Sequence, residues 1–342
     1  MLQHKIALPV SATESSVYDL CNISADAYLR DTDVAFAGGS IVEGLGNRFS
    51  DVDVHVVTDR YRLSEEIDVA RHYRVLTPSR SIVKEDDTGQ EIFLIHTLIP
   101  GTQIKVDIEY RTYEGLDALV DRLHEVFDYA VNSPLLLTKD IDHREKAFLN
   151  RLFTGISLHN ENRLADIRKF IGKDRFLYLL YRWKASDFSV LIDLIGAYEQ
   201  DELERACDLA RERLIAEFQA FVHLAGCTNF NRKWLLSYAR KVSIDPGLLA
   251  RFERLFLLDG YDLRQNPRKY VRDTVEFVDD VMFASEAYLT GSQIYPRKEA
   301  VLNAIDATLE GVDDAYAHSE AEYRKKAYGV AGKPTWRQFE QP

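Results

Sequence analysis

Two aspartates separated by a single residue are the feature of this sequence most able to do chemistry. They lie in the stretch Ser50-Asp51-Val52-Asp53-Val54, where valines alternate with the acids. This alternation predicts a β-strand, and residues two apart on a strand point to the same face. Two carboxylates so close repel each other, and hard divalent cations such as Mg²⁺ bind to carboxylates together with substrate phosphates. The pair therefore predicts a metal site that acts on phosphate groups.

A second acidic strand is predicted later in the chain. In residues 104–110, apolar side chains alternate with polar ones that include Asp107 and Glu109. If this strand lies beside the first, Asp107 joins Asp51 and Asp53, and three carboxylates can hold two metal ions about 3.5–4 Å apart. Glu109 shares the face of Asp107 and is the alternative third ligand or a partner behind it. One of these two acids is also a candidate general base, although a base from the helical part of the chain fits the sequence equally well.

A glycine turn precedes the first acidic strand. Gly38, Gly39 and Ser40 follow an apolar run at residues 34–37 that predicts another strand. Glycines let a backbone approach phosphates closely, and the N–H groups of such turns bind anions. The Ser40 hydroxyl is a further donor. We expect this turn to hold the phosphates of a nucleoside triphosphate, with the α-phosphorus facing metals on the two aspartates.

Strand and helix patterns alternate in the first part of the chain. Alternating apolar residues predict a hairpin from residues 91–99 and 103–110, joined through Pro100 and Gly101. Helical spacing predicts helices at residues 17–28, 61–72 and 113–127. A helix-capping pattern at residues 11–14 precedes the first of them.

From about residue 142 onward, helical periodicity dominates and strand patterns become scarce. We therefore predict an α+β protein. Its small mixed sheet belongs to a first domain at residues 1–135, which is followed by an all-α domain at 140–328. Residues 329–342 are polar and bear glycine and proline, which predicts a flexible tail.

Charge and composition argue against several classes of protein. The 342 residues carry a formal net charge of −12, whereas proteins that hold nucleic acid through its phosphates show basic surfaces. A long nucleic acid partner is therefore not expected. The three cysteines stand far apart without CxxC spacing, and neither a leader-like nor a membrane-spanning run occurs. We expect a soluble, cytoplasmic protein without a disulfide framework or a membrane partner.

The turn and the acids together resemble the DNA polymerase β-like nucleotidyltransferase superfamily. The pattern of that superfamily is a Gly-Ser turn, a short spacer, an Asp-x-Asp strand and a third carboxylate on a later strand. The residues that match it here are Gly39, Ser40, Asp51, Asp53 and Asp107. Nine residues separate Ser40 from Ser50, a spacing similar to that of aminoglycoside adenylyltransferases of the streptomycin/spectinomycin type. The resemblance covers about residues 30–112. It implies that residues 1–135 form a nucleotidyltransferase catalytic domain and that the helical domain at 140–328 binds acceptor and nucleotide.

Further residues complete the predicted nucleotide site. Ser50 directly precedes the acids, and Arg48 in the spacer can contact a phosphate, with a solvated loop charge as the alternative. The resemblance implies that a basic residue of the helical domain reaches the triphosphate, and Lys233 is the candidate. Its alternative role is a surface charge beside Trp234. His55 lies on the acidic face, where we expect it to pack beneath the site rather than to react.

The resemblance also implies a reaction. An NTP, with ATP as the expected co-substrate, would transfer its nucleoside monophosphate to a hydroxyl of a small-molecule acceptor and release pyrophosphate. Asp51, Asp53 and Asp107 would hold two Mg²⁺ ions, with Mn²⁺ as an alternative. The acidic composition favours a cationic acceptor such as an aminoglycoside. Two alternatives stay open: a synthase that joins nucleotides to each other or to an RNA end, and an inactive scaffold that binds NTP.

Overall fold

The computed structural model describes residues 4–9, 15–134, 137–185 and 188–339. The capping pattern at residues 11–14 and the predicted domain boundary at residue 135 lie outside these described residues.

The chain forms two compact units. Unit 1 consists of the described residues within Met1–Leu123 and Asp142–Lys173. Unit 2 consists of those within His124–Ile141 and Asp174–Pro342. Each unit is therefore built from two separate stretches of sequence.

A six-stranded mixed sheet is the main element of unit 1. The strands of this unit are β1 (Lys5–Pro9), β2 (Ser15–Asp19), β3 (Val34–Gly38), β4 (Val52–Thr58), β5 (Arg62–Leu63), β6 (Arg74–Leu76), β7 (Glu91–Ile92), β8 (Leu94–Leu98), β9 (Lys105–Thr112) and β10 (Ile156–His159). The large sheet has the order β10-β3-β4-β9-β8-β6, with β4 and β9 parallel and the other neighbours antiparallel. β1 with β2 and β5 with β7 form two small antiparallel sheets. The predicted hairpin is confirmed as β8 and β9.

The middle strands are buried because both faces of the sheet are covered. Val52, Val54 and Val56 are completely buried in the apolar core on one face. On the other face, α2 (His143–Thr154) places Phe148 against His55. Burial on both sides explains why β3 is a continuous apolar run rather than an alternating one.

The outer edge of β3 is covered by a strand from much later in the chain. β10 pairs antiparallel with β3, and its register shifts between Ser157 and His159. With α2 and α3 (Glu161–Ile171), it places residues 142–173 in unit 1, although the sequence analysis assigned them to the helical part. A four-residue strand between two helices carries too little periodicity to be detected from sequence.

Unit 2 is helical in its described part. Its helices are the end of α1 (Tyr113–Asn132), α4 (Lys173–Ala185), α5 (Ser189–Glu199), α6 (Leu203–Leu224), α7 (Leu235–Ala239), α8 (Pro246–Phe256), α9 (Pro267–Gly291), α10 (Lys298–Ala307) and α11 (Ala315–Lys326). Phe218 of α6 stacks on Phe252 of α8 with ring centroids 3.7 Å apart. The α+β class is confirmed. None of the described helices has both the length and the apolar character required to cross a membrane.

Two helices predicted near the start of the chain are replaced by other structure. The region 17–28 contains the end of β2 and a 3₁₀ helix, Leu20–Ala25. Its buried residues, Leu20 and Ile23, are three apart, which imitates helical spacing. The region 61–72 contains β5 and two short 3₁₀ turns.

The segment predicted as a flexible tail makes an ordered contact within unit 2. Thr335 is buried at the start of the 3₁₀ helix Thr335–Phe339. Its backbone N–H donates to the Asp279 carboxylate at 2.8 Å, and its hydroxyl donates at 2.6 Å. Lys326 donates to the same carboxylate at 3.0 Å. A buried carboxylate needs such donors, which holds residue 335 in place.

A buried ion pair fixes the chain where β3 begins. Asp33, directly before β3, pairs with Arg62, whose side chain is 1% exposed. Arg62 also donates to the backbone oxygen of Tyr28 at 2.8 Å and to the hydroxyl of Thr58 at 3.0 Å. The pair therefore connects the start of β3 to the end of β4.

We expect Arg62→Met to lower the free energy of unfolding by about 3–5 kcal/mol, because Asp33 would stay buried without its counter-charge. Arg60→Met is the matched control, since Arg60 pairs with Glu66 at the surface and its loss should matter far less. Urea unfolding of both variants measures the difference. Similar losses in the two variants would contradict the assignment of Asp33 as a residue that depends on Arg62.

Candidate active site

The strand register brings three predicted site residues level with one another. Gly38 is the partner of Asp53 across β3 and β4, and Asp53 is the partner of Asp107 across β4 and β9. Asp51 lies one residue before the start of β4. The glycine turn and the acids therefore lie together at the same end of three adjacent strands, β3, β4 and β9.

Asp53 is the most constrained of the acids. Its carboxylate pairs with the guanidinium of Arg151, with Nε and Oδ2 2.9 Å apart, and its side chain is 17% exposed. The pKa of Asp53 is raised to about 6, chiefly by burial and also by the charges of Asp51 and Asp107, while Arg151 acts to lower it. The sequence analysis missed Arg151, because it lies in α2 and no local pattern connects it with the acidic strands.

The two glycines of the turn are required by this ion pair. Gly39 has a φ of +91°, and a Cβ there would lie 2.4 Å from Oδ2 of Asp53. A Cβ at Gly38 would lie 2.9 Å from Cβ of Arg151. Glycine is therefore needed at both positions to admit Asp53 and Arg151, whether or not a phosphate also approaches the turn.

The turn after Gly39 contains hydrogen-bond donors that have no acceptor in the described residues. The Ser40 carbonyl accepts hydrogen bonds from the amides of Leu45 and Gly46 at 2.7 and 2.8 Å, which closes the turn. Within the described residues, the amides of Ser40 and Ile41 donate to no acceptor, and the Ser40 hydroxyl has no hydrogen-bond partner. Such unpaired donors suit an anionic ligand.

Asp107 is held by a histidine from the neighbouring strand. Nδ1 of His96 on β8 lies 2.5 Å from Oδ1 of Asp107, and the two residues are register partners. Tyr73 stacks on the His96 ring with centroids 5.6 Å apart. The sequence analysis missed His96, although its place opposite Asp107 in the predicted hairpin is a signal that could have found it.

Glu109 and His55 are also register partners, and each lies two residues further along its strand than Asp107 and Asp53. His55 is buried and stacks on Phe36 at 5.3 Å, and burial lowers its pKa well below the usual range. A neutral, enclosed ring agrees with the expectation that His55 packs beneath the site. Glu109 is half-buried beside it and stays a candidate base.

The other predicted nucleotide-binding residues are divided between the units: Arg48 and Ser50 belong to unit 1 and Lys233 to unit 2. The hydroxyl of Ser50 accepts from the amide of Asn47 at 3.0 Å, and the guanidinium of Arg48 lies 4.5 Å from the ring centroid of Phe49. Lys233 belongs to unit 2, where its ammonium lies 5.2 Å from the Trp234 ring. Its contact with a triphosphate stays a prediction.

The acids fit a hard divalent cation in ligand type and in charge. Their oxygens are the ligands that Mg²⁺ prefers, and mutual repulsion contributes to the raised pKa of Asp53. In the described residues, however, no three His, Cys, Asp or Glu side chains form a group able to hold a metal. Arg151 contacts one oxygen of Asp53 and His96 contacts one of Asp107, while Asp51 has no ion pair there. Metal binding stays a prediction, and it requires Arg151 to move away from the Asp53 carboxylate.

Similarity to known proteins is confined to distant resemblance among solved structures. No protein-family model matches the chain, and no curated protein matches it. Among solved structures, a nucleotidyltransferase-like protein from Exiguobacterium sibiricum 255-15 is similar over 87% of this chain and 89% of its own, with 12% identity and a TM-score of 0.38. At that TM-score the two backbones share too little geometry for residues to be transferred from one to the other.

We expect Gly39→Ala to destabilise the protein by about 3 kcal/mol or more, because the new Cβ must displace the Asp53 carboxylate from Arg151. Gly44→Ala is the matched control: it has a φ of +69° but no atom within 4 Å of the new Cβ. It should cost only the unfavourable backbone, about 1–2 kcal/mol. Urea unfolding compares the two, and equal losses would show that Asp53 does not require glycine at residue 39.

Proposed function

We propose that this protein is a metal-dependent nucleotidyltransferase. It transfers a nucleoside monophosphate from an NTP, with ATP as the expected donor, to a hydroxyl of a small acceptor. The observation that carries this proposal is the alignment of Gly38, Asp53 and Asp107 on three adjacent strands, with Asp51 beside them. A phosphate-binding turn and three acids at one edge are what transfer at an α-phosphorus requires.

The chain's own groups have separate roles in this reaction. The unpaired amides of Ser40 and Ile41, with the Ser40 hydroxyl, bind the β- and γ-phosphates. Asp51, Asp53 and Asp107 would hold Mg²⁺, which would neutralise charge at the phosphates. His96 holds Asp107 in one orientation.

The transfer forms one bond to the α-phosphorus and breaks another. The acceptor oxygen forms a bond to the α-phosphorus, and the bond from that phosphorus to the bridging oxygen breaks, releasing pyrophosphate. The acceptor proton passes to a carboxylate, for which Asp107 and Glu109 are the two candidates. Turn and acids lie level on neighbouring strands, so one triphosphate can contact both.

An inactive scaffold is the second candidate, and the Asp53–Arg151 ion pair favours it. Arg151 supplies the positive charge that a metal would otherwise bring to Asp53. A scaffold would bind nucleotide at the turn without turnover. The two candidates differ in whether a divalent cation can replace Arg151.

Transfer is tested by incubating the protein with each labelled NTP, Mg²⁺ and pools of candidate acceptors, followed by mass spectrometry. A mass gain of one nucleoside monophosphate identifies the acceptor. We expect Asp53→Asn to reduce transfer at least ~100-fold while the protein stays folded. The control is Asp59→Asn, an exposed aspartate just beyond the other end of β4, which should keep full activity. Retained transfer in Asp53→Asn would remove the metal role from this residue.

Competition between Arg151 and a metal is tested by Arg151→Met. Without metal, the variant should be about 3 kcal/mol less stable, because Asp53 loses its counter-charge. Millimolar Mg²⁺ should raise its melting temperature more than that of the unchanged protein, since the cation then occupies the vacated place. Arg122→Met, which removes an exposed pair with Glu145, is the control. If Mg²⁺ stabilises none of the three proteins, the scaffold is supported instead.

A further inference from the structure

A cavity of about 610 Å³ opens in unit 1 beside the candidate active site. Its walls include Arg48, Phe49 and Ser50 from the loop before β4, and residues 101–105 from the turn between β8 and β9. Ser50 directly precedes Asp51, and Lys105 lies two residues before Asp107. Two wall residues are therefore close neighbours of the acids along the chain, and the volume of the cavity is typical of sites for small organic ligands.

The charge of this cavity is opposite to that of the chain. The protein carries a net charge of −12, yet the described residues of the lining include Arg48 and Lys105 and no acid. Within the described residues, neither of these cations forms an ion pair. By contrast, Arg268 and Lys269, which line a cavity of unit 2, are paired with aspartates. Two uncompensated cations in one cavity favour an anionic ligand such as a phosphate ester.

An aromatic ring at the same cavity points to a planar ligand. Phe49 is 83% exposed, so its ring is accessible to a ligand. The Arg48 guanidinium lies 4.5 Å from its centroid, so the ring and the cation belong to one surface. Exposed aromatic rings beside cations bind nucleobases by stacking, whatever the base.

The position of the cavity in the sheet assigns it a side of the reaction. The glycine turn lies at the end of β3, on one side of β4, whereas residues 101–105 lead into β9 on the other side. Asp53 on β4 lies between them, and Asp107 lies on β9 two residues beyond Lys105. In-line displacement places the attacking and leaving oxygens on opposite sides of the phosphorus. With the leaving pyrophosphate at the turn, the attacking acceptor belongs on the β9 side.

We propose that this cavity binds the acceptor and that the acceptor is a nucleoside phosphate. Arg48 and Lys105 bind its phosphate, Phe49 stacks on its base, and a ribose hydroxyl faces the acids. The hydroxyl oxygen bonds to the donor α-phosphorus, the bond to the pyrophosphate breaks, and the ribose proton passes to a carboxylate. The product is two nucleotides joined through one phosphodiester. This acceptor replaces the cationic one expected from composition, and the assignment rests on the proposed function.

Binding without turnover tests the cavity separately from the reaction. Titration calorimetry with AMP, adenosine and ribose 5-phosphate compares ligands that have both groups, the base alone or the phosphate alone. We expect AMP to bind at least ten times more tightly than either fragment. The variants Phe49→Ala and Arg48→Met/Lys105→Met should each weaken AMP binding about tenfold or more. Phe170→Ala and Lys84→Met replace an exposed aromatic residue and an exposed lysine elsewhere in unit 1 and should leave binding unchanged.

A second ligand separates the acceptor from the donor. The non-hydrolysable α,β-methylene analogue of ATP should keep its affinity in Arg48→Met/Lys105→Met and lose affinity in Ser40→Ala. Equal loss of AMP and analogue binding in the double variant would overturn the assignment, because the cavity would then belong to the donor. Absence of AMP binding also overturns it, even if transfer to another acceptor is found. Cavity binding with no transfer from any NTP would instead count against the proposed function.

Discussion

The ion pair between Asp53 and Arg151 is the contact on which the geometry of the candidate site depends. A half-buried carboxylate with two acidic neighbours needs a cation, and the chain provides one from α2. The atoms of this pair lie where the Cβ atoms of Gly38 and Gly39 would stand. One electrostatic requirement thus joins the turn after β3, the start of β4 and a helix that begins at residue 143.

The same edge of the sheet separates two kinds of charge. Asp51, Asp53 and Asp107 place negative charge at the beginnings of β4 and β9, while Arg48 and Lys105 leave positive charge without an ion pair in the adjoining cavity. A phosphate-bearing molecule in that cavity would be attracted by the cations and repelled by the acids. It would therefore keep its phosphate away from the reacting centre and present its neutral sugar to it.

Sequence reasoning predicted the central strands of the site well because their signals are local. The alternation around Asp51 and Asp53, the run before Gly38 and the hairpin that carries Asp107 each lie within a few residues. It could not predict Arg151 or β10, since both depend on packing between distant parts of the chain. It also assigned a helix to residues 17–28, where a strand and a 3₁₀ helix imitate helical spacing. Local periodicity fixes what a segment can bury, whereas the partner that covers it is decided by the whole fold.

The position of β10 determines which truncated forms of this protein keep β3 covered. β3 is apolar and buried along its whole length, and β10 is what occupies its free edge. A fragment that ended soon after α1 would contain every predicted acid. It would, however, leave β3 as an exposed edge strand, and such strands pair with strands of other chains and aggregate. β10 itself is short and irregular, which makes it a safer outer strand. Solubility of the isolated sheet therefore depends on residues 142–173, which carry none of the predicted acids.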